Sequence, residues 1–192
     1  SNEQYSEVWW FYCSTNSLVV DSYVIYNYLD RVWYYGTMGR TAWLDSGTQQ
    51  YPIGADYNGY LLNHEDGVDD VSGPSAVAIN AYIQSSDFDI GDGHNFGFVW
   101  RILPDVTFAG SSATNPSCTM VVKPRINSGS AYGTPNDKTV VRTQQFPVEL
   151  FTGQVYTRIR GRQMAFRIES ATLGTTWQLG APRIDIRPDG RR

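Results

Sequence analysis

The hydrophobic positions of this chain recur with period two. Phe96, Phe98 and Trp100 fall on one face of a strand over Phe96–Leu103. Met164, Phe166, Ile168 and Ser170 alternate with Gln163, Ala165, Arg167 and Glu169, and the first set reads as the core face. Trp177, Leu179, Ile184 and Ile186 continue that buried set. No stretch carries a sustained apolar stripe at helical spacing, so the predicted class is all-β. Glu7–Cys13 is an almost continuous aromatic strand, and such runs are expected to be covered on both faces. Tyr23–Tyr28 and Val32–Tyr35 flank a Leu29–Arg31 turn and predict a hairpin. Asn58-Gly59 predicts a tight turn within Asp56–Asn63. Tyr82–Asp89 and Phe96–Leu103 are separated by Gly91, Asp92, Gly93, His94 and Asn95, which predicts a second hairpin. Short strands are predicted at Thr119–Lys123 and Val140–Thr143. Strand, hairpin and strand in succession suit a propeller blade. The expected organisation is propeller-like strands over residues 1–75, as the end of a longer domain, then a β-sandwich-like part over residues 76–192.

Charge changes this picture more than composition does. Residues 1–100 hold 13 acids against 2 bases, and residues 101–192 hold 6 against 13, which makes −11 and +7 within an overall −4. The halves are therefore electrostatically self-complementary. The aromatic residues include 13 Tyr and 6 Trp, types suited to half-buried sheet surfaces. No run of about 18 apolar residues exists to form a membrane-spanning helix. Cys13 and Cys118 are too few for a zinc framework and are expected to be two free, buried thiols, with a single disulfide as the alternative. The chain opens at Ser1 without Met, and a preceding N-terminal part is expected.

Candidate chemistry is sparse. Glu65, Asp66, Asp69 and Asp70 form one acidic cluster, and Asp87, Asp89 and Asp92 another. Several oxygen ligands could suit calcium, but neither cluster has the spacing of a calcium loop. Both are expected to be solvated or paired with arginine, with no metal. Two carboxylates flanked by aromatics could cleave a glycoside, yet many Tyr- and Trp-rich β proteins fit that description. His64 and His94 lie in acidic turns without a nucleophile elbow. The basic feature is Arg158, Arg160 and Arg162, which alternate along one strand, with Arg167, Arg183, Arg187, Arg191 and Arg192 following. They could grip phosphates. The expectation preferred here is pairing with an acidic loop of a neighbouring copy, His64–Asp70 or Asp87–Asp92.

EVWWFY, YVIYNYLDRVWYYGTMGRTAWLD, YPIGADYNGYLLNHEDGVDD, SSDFDIGDGHNFGFVWRILPD and the closing RIRGRQMAFRIESATLGTTWQLGAPRIDIRPDGRR resemble, in that order, the C-terminal part of short-tailed bacteriophage tail structural proteins. The nozzle, lower tail tube or tail hub group, sometimes labelled DNA-stabilisation proteins, is the nearest in character. The resemblance implies a virion protein, assembled in the host cytoplasm, with propeller and sandwich parts. It implies a ring of six copies around a DNA exit channel, serving tail assembly and DNA retention and ejection. Implied partners are further copies, a portal adaptor, tail fibre or spike proteins, and DNA in transit. It implies no cofactor and no catalytic residue. The alternatives are a carbohydrate- or receptor-binding β module of a phage tail, or a polysaccharide-degrading enzyme.

Overall fold

The computed structural model describes residues 1–89, 93–138 and 141–190. It is all-β, built from several small sheets, and among the described residues no closed barrel forms. The chain divides into two compact units, Ser1–Gly67 and Val68–Arg192.

In the first unit a 3-10 turn at Glu3–Tyr5 precedes β1 (Glu7–Tyr12), β2 (Ser22–Asn27) and β3 (Val32–Thr37), which form an antiparallel sheet in sequence order. The predicted hairpin is β2–β3. Asn27 organises its turn, because its Oδ1 accepts from the N–H groups of Leu29 and Asp30 while its Nδ2 donates to the Tyr5 carbonyl. A second antiparallel sheet follows from β4 (Ala42–Leu44), β5 (Ile53–Ala55) and β6 (Leu61–Asn63). Asp56 makes the predicted turn before β6 by accepting from the N–H groups of Asn58 and Tyr60. These bonds hold its carboxyl below the ordinary range.

The β1 run is covered on one face only. Trp9, Phe11 and Tyr23 share the covered face, where Trp9 stacks on Tyr23 and Trp43 at 5.2 Å. Register places Val8, Tyr26 and Trp33, and Trp10, Val24 and Tyr35, on the other face. There Trp10 is 46% and Trp33 62% exposed. Cys13 is likewise exposed rather than buried. It lies just past the end of β1.

The second unit opens with β7 (Asp69–Asp70) paired to β8 (Val77–Ala78). The Asp69 carboxylate accepts from the Gly174 N–H at 2.9 Å. These two links place residues 68–75 in this unit, so the division comes earlier than residue 75. Then come β9 (Ala81–Gln84), β10 (Phe88–Asp89), β11 (Gly97–Leu103), β12 (Val106–Thr107), β13 (Ser117–Arg125), β14 (Gln144–Glu149), β15 (Val155–Gly161), β16 (Gln163–Ser170), β17 (Gln178–Leu179) and β18 (Arg183–Pro188). Five of them make one sheet, with β9 and β10 on one side of β16, β13 on the other and β14 beyond β13. Three make another, in the order β15-β11-β18, and β12 pairs with β17.

The predicted hairpin over Tyr82–Leu103 does not form. β9 and β10 join the five-stranded sheet while β11 joins the three-stranded one, so this segment passes between sheets. The strand predicted at Val140–Thr143 is displaced to Gln144–Glu149. Val140 lies outside the described residues, and Val141 to Thr143 are not strand. Pro147 disguised the true strand, which accommodates it by lying at a sheet edge.

Both larger sheets contribute to one aliphatic core. Val99, Ile102 and Ile159 come from the three-stranded sheet, and Met120, Val122, Val148, Met164, Phe166 and Ile168 from the five-stranded one. Trp177, Leu179, Ile184 and Ile186 pack against it, half-buried, as the alternation predicts. The chain passes from β15 to β16 through Arg162 alone. Gly161 makes that corner, where a Cβ would stand 2.9 Å from Pro124 Cβ and 3.0 Å from the Gln163 carbonyl oxygen.

Candidate anion-binding face

The three-stranded sheet turns Val99, Ile159 and Ile186 inward as one cross-strand row. Alternation sends the neighbouring rows outward. Phe98 lies between Arg160 and Arg187, Arg101 lies between Tyr156 and Asp185, and Leu103 lies opposite Arg183. Arg158 projects from the same face of β15 and is exposed. A bulge between Val99 and Arg101 leaves Trp100 as the extra residue of β11. Two consecutive side chains thereby reach one side. The guanidinium carbons of Arg101 and Arg187 lie 4.8 and 5.0 Å from the Trp100 ring centre.

Acids neutralise part of this surface. Arg101 donates to Asp185 at 2.6 Å. Arg160 forms an ion pair with Asp189, donates from Nη2 to its carbonyl at 2.9 Å, and covers the Phe96 ring at 4.3 Å. Arg162 sits at the corner over the same ring at 4.9 Å and donates to Asn127 Oδ1 at 3.2 Å. Arg142, Arg158, Arg183 and Arg187 have no acidic partner among the described residues. Arg142 and Arg158 flank an open groove of about 270 Å³ with Gln144, Tyr156 and Thr157. The Gln144 side chain donates to the Arg158 carbonyl at 3.1 Å, and Tyr156 is 65% exposed.

Among the described residues, the acids singled out by sequence do not assemble into one site. Asp69 is occupied with Gly174, and Asp70 accepts from the Ser72 N–H at 2.9 Å. Asp87 accepts from the Tyr132 hydroxyl at 2.6 Å and pairs with Arg125 at 3.2 Å. Tyr132 also lies beneath Arg125 and Lys123, at 4.0 and 4.4 Å. Its hydroxyl is held above the ordinary phenol value, mainly by the bond to Asp87. This cluster fastens the loop carrying Tyr132 to β13. Asp66 and Asp89 are exposed, and Asp92 lies outside the described residues. Glu65 is exposed over the residue as a whole, yet partial desolvation and then the Glu7 charge hold its carboxyl above the ordinary range. No group of three His, Cys, Asp or Glu among the described residues is placed to hold a metal ion.

No protein-family model and no curated protein matches this chain.

The remaining candidate groups have structural partners. A second groove, of about 340 Å³, is lined by Leu103, Asp105, Val106, Thr152, Gly153, Ala181 and Arg183. Its carboxylate, Asp105, accepts from the Ala181 N–H at 2.6 Å and so staples β17 to β12. His64 lies against Trp43 at 4.5 Å, and its Nε2 accepts from Arg40 Nε at 3.0 Å. That bond requires the neutral imidazole. His94 is exposed. Cys118 is buried in the core, and desolvation pushes its thiol up to about 11.

Sequence reasoning found Arg158, Arg160 and Arg162 but missed Arg142, Gln144 and Tyr156. Arg142 lies outside any strand, so no periodicity marks it. Tyr156 could have been found, because it continues the Arg158 and Arg160 alternation.

Proposed function

We propose that this chain is a non-catalytic assembly subunit of a short bacteriophage tail, of the nozzle or hub kind. On this reading β1–β2–β3 is part of a propeller blade lacking an outer strand, and the two larger sheets of the second unit form a β-sandwich. The supporting observation is the open face of β1–β2–β3, where Trp10 and Trp33 stack at 5.9 Å and Tyr26 lies 4.6 Å from Trp33. No charged residue stands among the β-strand positions of this face. A contiguous uncharged aromatic surface favours packing against protein over exposure to water. In the tail such a face is covered by other copies in a ring of six, or by adaptor and fibre proteins, and DNA retention and ejection follow from the ring.

Native mass spectrometry and electron microscopy of the full-length protein test the proposal. Rings are expected, and Trp33→Ser should disperse them while leaving the circular dichroism spectrum unchanged. Full-length protein that stays monomeric at tens of micromolar (about the range where a standard interface associates), and that is absent from tail particles, overturns it.

A second reading, a carbohydrate-binding module, draws on the 27° angle between the Trp10 and Trp33 rings. Two nearly parallel exposed rings suit sugar stacking. Binding on a glycan array that Trp33→Ala abolishes would favour this reading.

A further inference from the structure

We infer that the outer face of β15-β11-β18 binds the phosphodiester backbone of a nucleic acid. The principal contacts come from Arg142 and Arg158 across their groove, extended by Arg187 and Arg183. The inference concerns the second unit alone and does not rest on the tail reading.

Four observations converge on it. Arg158 and Arg160 project from β15, and Arg183 and Arg187 from β18, the strands on either side of β11, with residues two apart separated by about 6.7 Å along a strand and neighbouring strands about 4.8 Å apart. Only Asp185 opposes them within those strands, and it is engaged by Arg101. Secondly, Arg142, Arg158, Arg183 and Arg187 carry no acidic partner among the described residues, so their charges remain available. Thirdly, Arg187 lies over Trp100. A guanidinium held against a ring has already lost side-chain freedom, and the ring contact does not use up the in-plane N–H donors that suit a phosphate fork. Finally, Tyr156 borders the Arg142–Arg158 groove with most of its surface exposed, beside the Gln144 side chain. Cations with an exposed aromatic between them are the elements of a single-strand binding surface.

An acidic loop from a second copy would offer negative charge too, but this chain uses much of that charge itself. Asp69, Asp70 and Asp87 each accept hydrogen bonds from their own chain, and Arg160 is paired with Asp189. A carboxylate cluster also lacks bases to lie against Tyr156. The protein as a whole is acidic, at −4, so attraction to a polyanion must come from a local surface. Single strands fit better than duplex, because their bases are free to stack.

Fluorescence anisotropy of the full chain with a labelled mixed-sequence single strand tests this between about 50 and 200 mM salt. Affinity should fall linearly on a log–log plot, with a slope of about −0.7 per phosphate neutralised. Arg158→Glu and Arg142→Glu should each weaken binding about tenfold or more, whereas Arg158→Lys retains most of the affinity and reports the charge. Arg31→Glu, an equal charge change on the first unit, should alter it by less than about twofold. Circular dichroism confirms that each variant is folded. Duplex of the same sequence should bind more weakly. Three results overturn the inference: no binding at the lower salt, equal loss from Arg31→Glu and Arg158→Glu, or polyglutamate of equal charge binding as tightly as the oligonucleotide. The last would return the face to an acidic protein partner. None of these outcomes bears on ring formation by the first unit.

Discussion

The two units bury their apolar residues differently. Apart from Pro52, Ile25 is the only apolar side chain of the first unit, among the described residues, that is buried. Its remaining cohesion comes from half-exposed rings stacked between two thin sheets, Trp9 with Tyr23 and Trp43 and then Trp43 with His64. The second unit gathers one largely aliphatic core from residues of its five-stranded and three-stranded sheets, with Val99, Ile102, Met120, Ile159, Met164 and Ile168 wholly shielded. Both units are strand-rich and carry period-two patterns. A pattern therefore specifies which face a residue takes, while burial depends on whether a second layer arrives to cover that face.

The largest test of this contrast is a pair of aromatic truncations. Phe166→Ala should cost about 3–5 kcal/mol, because it empties a filled site in the enclosed core. Trp33→Ala removes a larger side chain but should cost no more than about 1.5 kcal/mol, the value of its ring contacts. Denaturant unfolding followed separately in each unit by hydrogen exchange gives both numbers. Comparable costs would mean that the first unit is as enclosed as the second.

A smaller effect is expected at the corner between the two sheets. Gly161→Ala places a methyl group against Pro124 and the Gln163 carbonyl. Overpacking of this kind costs about 1–3 kcal/mol, and the loss should appear in the second unit alone. If the melting temperature is unchanged, the β15–β16 passage is looser than its geometry indicates.

The smallest effect belongs to the first unit. Glu65 holds its proton more tightly in the folded chain than at its ordinary value of 4.5, through desolvation and the Glu7 charge. A raised folded value stabilises the protein below the unfolded value, and that contribution is lost as pH rises through the folded one. Glu65→Gln should therefore flatten the pH dependence of the first unit from about pH 4 upward and slightly raise its stability at about pH 7. A variant that melts lower at neutral pH would mean that the charged carboxylate is stabilising.

Much of the architecture was legible because alternation is local. The β2–β3 hairpin and the inward set Met164, Phe166 and Ile168 follow from spacing alone. Pairing partners did not. The segments before and after residues 90–96 alternate like a hairpin, yet they belong to different sheets, and nothing in the period distinguishes a turn-back from a passage between layers. Pro147 argued against a strand that tolerates it only at an edge. The candidate face was half visible, since Arg158 and Arg160 alternate on one strand. Its other residues come from β18 and from the segment before β14, and only register brings Arg187 across from Phe98. Among the acids expected to meet these arginines across copies, Asp69, Asp70 and Asp87 also serve as caps and staples within their own chain, a role that spacing does not reveal.

β11 is held between β15 and β18, both supplied by residues 155–188. On the ribosome it emerges with neither neighbour made. At roughly 5–20 residues per second, roughly 4–17 s separate the synthesis of Leu103 from that of Pro188. Both edges of β11 stay open to other nascent chains until β15 is made, roughly 3–12 s after Leu103, and the edge that β18 will cover stays open to the end of the interval. Closure then requires contacts distant in sequence, which form slowly. Yield of the folded protein in a cell should therefore depend on chaperone supply and growth temperature during this window, more than on the stability of the finished sheet.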